Sequence, residues 1–272
     1  MPASRLHVLE KPARVAMVTG ATGAIGRAIA EGLAADHDTE VVLVCRDEKK
    51  AKRVNSEISR RTGNQRVRSE IVDLGRRSEI VELARRLQGP LHVLVNNAAA
   101  TPRRREETPE HIERQLATNV LGYLWMVEEL QAALERAAPA QVVNVASYWA
   151  GDLDLDDLEF RRRAYDNNTA YRQSKQCNRM LSVALAERLS GARIYVNACH
   201  PGDVNSALSN SLGFGGSDTP EQGAETPLWL INRRTAEPPS GKYFEHKREV
   251  RCRFGADRQA VERLYEECAR YR

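Results

Sequence analysis

The chain has 272 residues, enough for one large α/β domain or two small ones with a substantial core. Its 41 basic and 37 acidic residues leave a formal charge of +4 and alternate along most of the sequence, an ordinary surface that speaks against a nucleic-acid partner. The short runs Arg103 to Arg105 and Arg161 to Arg163 adjoin acidic residues and read as solvated faces. No apolar run approaches the roughly 18 residues of a membrane span, residues 1–12 are polar, and the five scattered cysteines form no Cys-x-x-Cys pair. A soluble, cytoplasmic protein without repeats, leader or membrane partner is expected.

Arg14 to Thr19 predicts a short buried strand, followed at once by Gly20-Ala-Thr-Gly23-Ala-Ile-Gly26 and a helical pattern through Ala35. Strand, glycine turn and helix together are the context of a dinucleotide-binding turn. The glycines allow a tight turn and close backbone approach, and the helix N-terminus holds pyrophosphate through its free N–H groups and dipole. A second buried strand, Glu40 to Cys45, is followed by Arg46, where an acidic residue would grip the ribose 2′-hydroxyl of NAD. The planar fork of Arg46 suits a 2′-phosphate instead, which favours NADP(H) over NAD(H).

Strands at Val67 to Asp73 and Leu91 to Asn97, with helices near 47–61 and 76–88, continue the alternation and predict a parallel, doubly wound sheet. Ligands bind outside the carboxyl ends of such strands, where Asp73 and Asn96-Asn97 fall. From about Pro109 to Ala137 a long helix is expected, with Asn119 and Gly122 marking a distorted turn or a buried polar contact. Leu121, Leu124, Trp125 and Val127 read as core or subunit interface. Ala140 to Ser147 predicts another strand, ending in a hydroxyl able to donate to a substrate oxygen. Asp152 to Asp157 resembles a calcium loop, but Asp157 stands where glycine belongs and Arg163 where the bidentate glutamate belongs, so a surface insertion without metal is expected.

A helix from about Thr169 to Leu189 puts Tyr171 and Lys175 four residues apart, on one face. An ammonium beside a phenol favours the phenolate, so Tyr171 is expected to have a lowered pKa and to serve as a proton donor near neutrality. Arg193 to Cys199 predicts the next strand, and His200-Pro201-Gly202 turns the chain, with His200 structural. Residues 206–219, rich in Ser, Gly and Asn, suit a mobile loop over a site. A helix at Pro220 to Asn232, a strand near Lys242 to Glu245 and a peripheral helix at Asp257 to Tyr271 complete the chain.

Thr19-Gly20-x-x-Gly23-x-x-Gly26, Asp73-Leu74, Asn96-Asn97-Ala98-Ala99, Asn119, Ser147, Tyr171-x-x-x-Lys175 and Pro201-Gly202 follow one another as in the short-chain dehydrogenase/reductase family. The chain resembles its single-domain branch from Arg14 to about Glu245. Ala170 to Lys175 and Gln222 to Pro227 look most like its retinol-dehydrogenase-like and carbonyl-reductase-like members. The resemblance implies a Rossmann-type sheet flanked by helices in one domain. Residues 13–147 would mainly bind cofactor, 148–246 would carry catalysis and substrate, and 247–272 would form a C-terminal helical extension. It also implies a cofactor site of Gly20, Thr22, Gly23, Ala24, Ile25, Gly26, Arg46, Asp73, Leu74, Asn96, Ala98, Tyr171, Lys175, Pro201, Gly202 and Val204. Tyr171 would be the acid or base, and Lys175 would bind the nicotinamide ribose and depress the tyrosine pKa. Ser147 would polarise the carbonyl, and Asn119 would support a proton-relay water. The helices near 109–137 and 169–189 are the family's usual dimer or tetramer surfaces, so a homodimer or homotetramer is implied.

Three departures stand out. The glycine spacing at Gly23-Ala24 is closer to that of sugar-nucleotide epimerases and dehydratases, whose substrate domain is missing here. Ala99 replaces a usual glycine, and an insertion at about 149–166 separates Ser147 from Tyr171. The expected activity is hydride transfer between NADP(H) and a carbonyl or secondary alcohol of a small to medium, partly apolar substrate. The alternatives are an NADP(H)-sensing protein without turnover, against which the intact Tyr171 and Lys175 weigh, and an NADP-dependent epimerase or dehydratase.

Overall fold

Apolar runs such as Val15-Ala-Met-Val18 and Val41-Val-Leu-Val44 have no polar face to offer water, and each is buried on both sides of a sheet. Val15, Met17, Val42 and Val44 point into one core, and Ala16, Val18, Val41 and Leu43 into the other. The computed structural model describes residues 12–233 and 238–272; of the polar stretch 1–12, residues 1–11 lie outside the described residues. Strands β1 (Arg14–Thr19), β2 (Thr39–Cys45), β3 (Val67–Ile71), β4 (Val93–Asn96), β5 (Ala140–Val145), β6 (Ile194–Cys199) and β7 (Tyr243–Glu245) run parallel in the order β3-β2-β1-β4-β5-β6-β7. A short strand that the sequence did not announce, β8 (Arg248–Val250), pairs antiparallel on the β7 edge.

Helices α1 (Ala24–Ala34), α2 (Glu48–Thr62) and α8 (Pro220–Asn232) share one core, through Ile29, Leu33, Val54, Ile58 and Leu230. Helices α3 (Arg77–Arg86), α4 (Gly122–Glu129) and α6 (Asn167–Arg188) share the other, through Ile80, Leu83, Leu124 and Leu181. This is a Rossmann-type α/β fold, and its strand order reverses between β1 and β4, where such folds open a crevice.

The expected helix from Pro109 to Ala137 is broken into pieces. Residues 109–112 are not helical, Glu113 bridges back to Glu107, and its carboxylate accepts the amides of Gln115 and Leu116 at 2.8 and 2.7 Å, capping the helix start. Leu116–Leu121 then forms a π-helical turn before α4, and α5 (Gln131–Arg136) follows it. A Cβ on Gly122 would sit 2.8 Å from the Leu74 carbonyl oxygen, so only glycine lets α4 approach that loop.

Residues 206–219, expected to be a mobile loop, contain α7 (Ala207–Ser211), started by a reciprocal Ser206 and Ser209 capping box. Beyond β8 come α9 (Arg253–Ala256) and α10 (Arg258–Ala269). Val261, Leu264 and Cys268 of α10 are buried in the core that holds α6. Arg272 pairs with Glu128 of α4, and Arg258 with Glu187 of α6. The C-terminal extension thus covers part of the helical flank expected to face another subunit.

Candidate active site

The glycine turn is shaped by its own packing. Gly20 has φ +65°, and a Cβ there would lie 2.7 Å from the Ala98 Cα; one on Gly26 would lie 2.4 Å from the Gly20 carbonyl oxygen. Gly23 donates its amide to the Gly20 carbonyl at 3.0 Å and stands at the N-terminus of α1. No side chain caps that terminus, and no acidic residue lies in its first turn. Its free N–H groups and positive dipole end therefore suit an anion. The Thr19 hydroxyl accepts the amides of Asn97 and Ala98 at 2.9 and 3.1 Å, which fixes the exit of β4 against β1.

The crevice is a cavity of about 730 Å³. Of the residues expected to bind cofactor, Gly20, Thr22, Gly23, Ala24, Ile25, Gly26, Arg46, Asp73, Leu74, Ala98, Tyr171, Lys175 and Pro201 line it. Asn96, Gly202 and Val204 do not. Asn96 is fully buried and donates to Asn144 Oδ1 at 2.9 Å, while Asn97 lines the cavity in its place. Gly202 has φ +110°, and Val204 forms a bridge with Asp218, so both shape the turn behind the wall.

Sequence reasoning missed several lining residues. Lys50 lies one turn beyond Arg46 and lines the same cavity; Arg114 pairs with Asp73 at 3.4 Å. The Thr118 hydroxyl is buried, lines the cavity and has no hydrogen-bond partner among the described residues. None of these carries a motif, because each is set by helix spacing or by a loop fold. An uncapped helix terminus, two cations beside the β2 exit and an orphaned buried hydroxyl fit a phosphorylated dinucleotide.

The four expected catalytic residues lie at the β5 exit and on α6 and the π-helical turn. Ser147, Tyr171 and Lys175 are buried, and Asn119 is fully so. The Ser147 hydroxyl accepts the Trp149 amide at 3.1 Å and stands beside the Tyr171 phenol, where it favours the phenolate. Asn119 accepts the Ala100 amide at 2.8 Å and donates to the Ala100 carbonyl at 3.0 Å, so its side chain clamps the loop after β4.

The electrostatics differ from the sequence expectation. Lys175 Nζ donates to the Val145 carbonyl at 2.8 Å and lies 5.6 Å from the Tyr171 ring centroid. Burial pushes the Tyr171 phenol up to about 12, with the Ser147 hydrogen bond opposing it, and burial pulls the Lys175 ammonium down to about 7. Sharing one helix face did not lower the phenol, because removal from water disfavours the charged form of each group.

Elsewhere, His200 sits at the β6 exit, buried, its ring edge-on to Tyr148 with centroids 4.6 Å apart. In the insertion, the Asp157 carboxylate accepts the amides of Arg161, Arg162 and Arg163 at 2.7, 3.1 and 2.9 Å. That carboxylate is consumed in shaping its own loop.

A doubly wound sheet, a glycine-cornered βα turn and a buried Ser–Tyr–Lys group beside one crevice define an NAD(P)-dependent oxidoreductase. The chain belongs to the short chain dehydrogenase family, whose model matches residues 14–213. It is 32% identical to retinol dehydrogenase 13 of Mus musculus, over 95% of this chain and 84% of that protein. Among solved structures, an uncharacterized protein from Mycobacterium paratuberculosis superposes with a TM-score of 0.79 at 25% identity, covering 95% of this chain and 92% of that one. The Pseudomonas aeruginosa RhlG/NADP active-site complex gives 0.67 at 25% identity, covering 86% and 94%. The chain is thus a retinol-dehydrogenase-like member of its family. Among the described residues, no helix is long and apolar enough to cross a membrane.

Proposed function

We propose that this protein is an NADP(H)-dependent ketoreductase or alcohol dehydrogenase acting on a small to medium, partly apolar carbonyl compound or secondary alcohol. The observation that carries the reading is Tyr171 lining the cavity with the Ser147 hydroxyl beside its phenol and Lys175, fastened to the Val145 carbonyl, one turn behind it. The bound nicotinamide would supply or take up the hydride. In the reductive direction Ser147 donates to the substrate oxygen, and Tyr171 gives its proton as charge develops there. Lys175 anchors the β5 exit and faces the cofactor ribose, and Asn119 holds the loop after β4 and supports the relay water.

The free N–H groups of α1 hold the pyrophosphate, with Gly20, Thr22, Gly23, Ala24, Ile25 and Gly26 forming the turn around it. Asp73, Leu74, Asn96 and Ala98 shape the adenosine side, and Pro201, Gly202 and Val204 the nicotinamide side. Arg46 and Lys50, both lining the cavity, support NADP(H) over NAD(H). The NADP carried by the Pseudomonas aeruginosa structure agrees with that preference. Ala207 and Leu208 of α7, which line the cavity, support a partly apolar substrate rim.

The chain works as one domain, with residues 13–147 mainly for cofactor, 148–246 for catalysis and substrate, and 247–272 as an extension. In this reading it works in the cytoplasm as a homodimer or homotetramer. Oxidation of NADPH and NADH is measured against a panel of ketones, aldehydes and diketones. Turnover with NADPH in clear preference to NADH supports the reading; tight NADPH binding with no turnover of any carbonyl moves the cofactor-sensing alternative ahead.

A further inference from the structure

Helix α6 carries a second cation on the face of Tyr171 and Lys175. Positions i, i+4 and i+8 stack along one face of a helix, and Arg179 is the next in that series. Its side chain is 8% exposed. Nη2 donates to the Ser147 carbonyl oxygen and to the Tyr243 hydroxyl, both at 2.5 Å. The guanidinium lies over the Tyr243 ring, 3.5 Å from its centroid, and Glu245 Oε1 is 3.7 Å from Nη2. Lys175 makes the equivalent bond to Val145. Two buried cations from one helix therefore grip alternate carbonyls at the β5 exit. Between them, the Ala146 amide donates to the Cys199 carbonyl at 2.8 Å.

We propose that Arg179 is a positioning residue that sets the Ser147 hydroxyl toward Tyr171 by holding the Ser147 peptide; this rests on the reading of Ser147 and Tyr171 as the carbonyl-polarising and proton-donating pair. Stability gives a poor reason for a guanidinium here. A buried ion pair is no more stabilising than apolar side chains of the same volume. Arg179 also leaves Nε buried without a hydrogen-bond partner among the described residues, which costs further free energy. What a guanidinium provides, and an apolar residue does not, is a rigid donor stacked on an aromatic ring. That donor meets the backbone of Ser147, whose hydroxyl must lie within hydrogen-bond reach of both the substrate oxygen and Tyr171. Beyond the held carbonyl the chain turns at once, with the Trp149 amide on the Ser147 hydroxyl at 3.1 Å and the Ala150 amide on the Ser147 carbonyl at 3.3 Å. Releasing Arg179 frees the whole turn that carries the hydroxyl.

The test compares full-length wild type with Arg179→Met and Arg179→Lys. It measures steady-state turnover of a carbonyl that the wild type reduces, NADPH binding by cofactor fluorescence, and amide hydrogen exchange. In Arg179→Met, kcat should fall by about 10- to 100-fold through misplacement of Ser147, with NADPH affinity within about twofold of wild type. Exchange at the Trp149 and Ala150 amides should quicken by about tenfold or more while the rest of β5 stays protected. Should Arg179→Met not fold, Arg179→Lys, which keeps the charge without the fork, should show the same loss of kcat to a smaller degree. Unchanged kcat together with unchanged exchange at Trp149 and Ala150 overturns the proposal. The exchange measurement needs no substrate. A wild type that binds NADPH and reduces nothing would therefore sink the oxidoreductase reading, while still reporting whether Arg179 holds the Ser147 turn.

Discussion

Lys175 Nζ bonds the Val145 carbonyl at 2.8 Å while standing 5.6 Å from the Tyr171 ring centroid. The lysine is thus first a fastening for the β5 exit, and its charge is carried at a cost: burial pulls the ammonium down to about 7. Replacing it separates the two roles. Lys175→Met removes a buried charge and leaves one carbonyl unpaired, effects of opposite sign, so stability should stay within about 2 kcal/mol of wild type. Turnover, by contrast, should fall by about 100-fold or more. Thermal unfolding and steady-state kinetics on the same preparation check the pair; full activity in the variant would remove Lys175 from the chemistry.

Tyr171 leads to a pH dependence. Burial holds the phenol up at about 12, so at neutral pH it is protonated and ready to donate. Reduction needs that protonated form and should show a flat kcat/KM from about pH 6 to pH 9 as far as Tyr171 is concerned. Alcohol oxidation needs the phenolate and should rise through the same range. Rate profiles in both directions decide this; an oxidative rate that is already flat across that range argues for a phenol of much lower pKa.

His200 sets a limit on acid stability. Burial, with Arg179 and His246 adding to it and Glu245 and Asp218 opposing, pulls its imidazole down to about 4. Between that value and the ordinary one near 6.5, the unfolded chain binds the proton that the folded chain refuses. The stability is therefore fully present above about pH 6.5 and lost as pH falls toward 4, by at most about 3 kcal/mol. Urea unfolding at pH 7 and pH 4.5 should show a drop in wild type that is smaller in His200→Gln. Equal drops in the two proteins would assign the acid sensitivity to other groups.

Arg46 bears on the choice of cofactor. It lines the cavity with Lys50 at the β2 exit, and a planar guanidinium grips a phosphate in two bonds. Arg46→Glu should raise the KM for NADPH by about 100-fold and improve the use of NADH, since the carboxylate repels a 2′-phosphate and accepts from a ribose hydroxyl. Initial rates with each cofactor check it, and an unchanged NADPH to NADH ratio would place the selectivity elsewhere.

Much of this was legible in the sequence because parallel strands buried on both faces must be written as apolar runs. Arg14–Thr19 and Pro220–Asn232 fall where the pattern put them, and the glycine turn lies between strand and helix as expected. What failed depended on polar contacts that apolar periodicity does not register. The break before Arg114 arises because the Glu113 carboxylate supplies a cap, and apolar spacing alone ran straight through it. Asn119, expected to mark a distorted turn or a buried polar contact, does both, a buried amide in a π-helical turn bonded to Ala100. Its partner Ala100 lies on a different loop. β8 was invisible, since Arg248-Glu-Val250 is short and exposed on the sheet edge. The pKa of Tyr171 was misjudged for a related reason: helix spacing fixes which face two side chains share, while burial by the rest of the fold decides how charge is tolerated there.

The proton-donor role of Tyr171 is tested by the rate of NADPH oxidation with a carbonyl substrate in Tyr171→Phe beside wild type, with NADPH binding measured on both. Wild type should turn over, the variant should lose about 100-fold or more, and NADPH affinity should be nearly unchanged. Equal turnover in the two proteins would contradict that role, because the Tyr171 hydroxyl would then not be the proton donor.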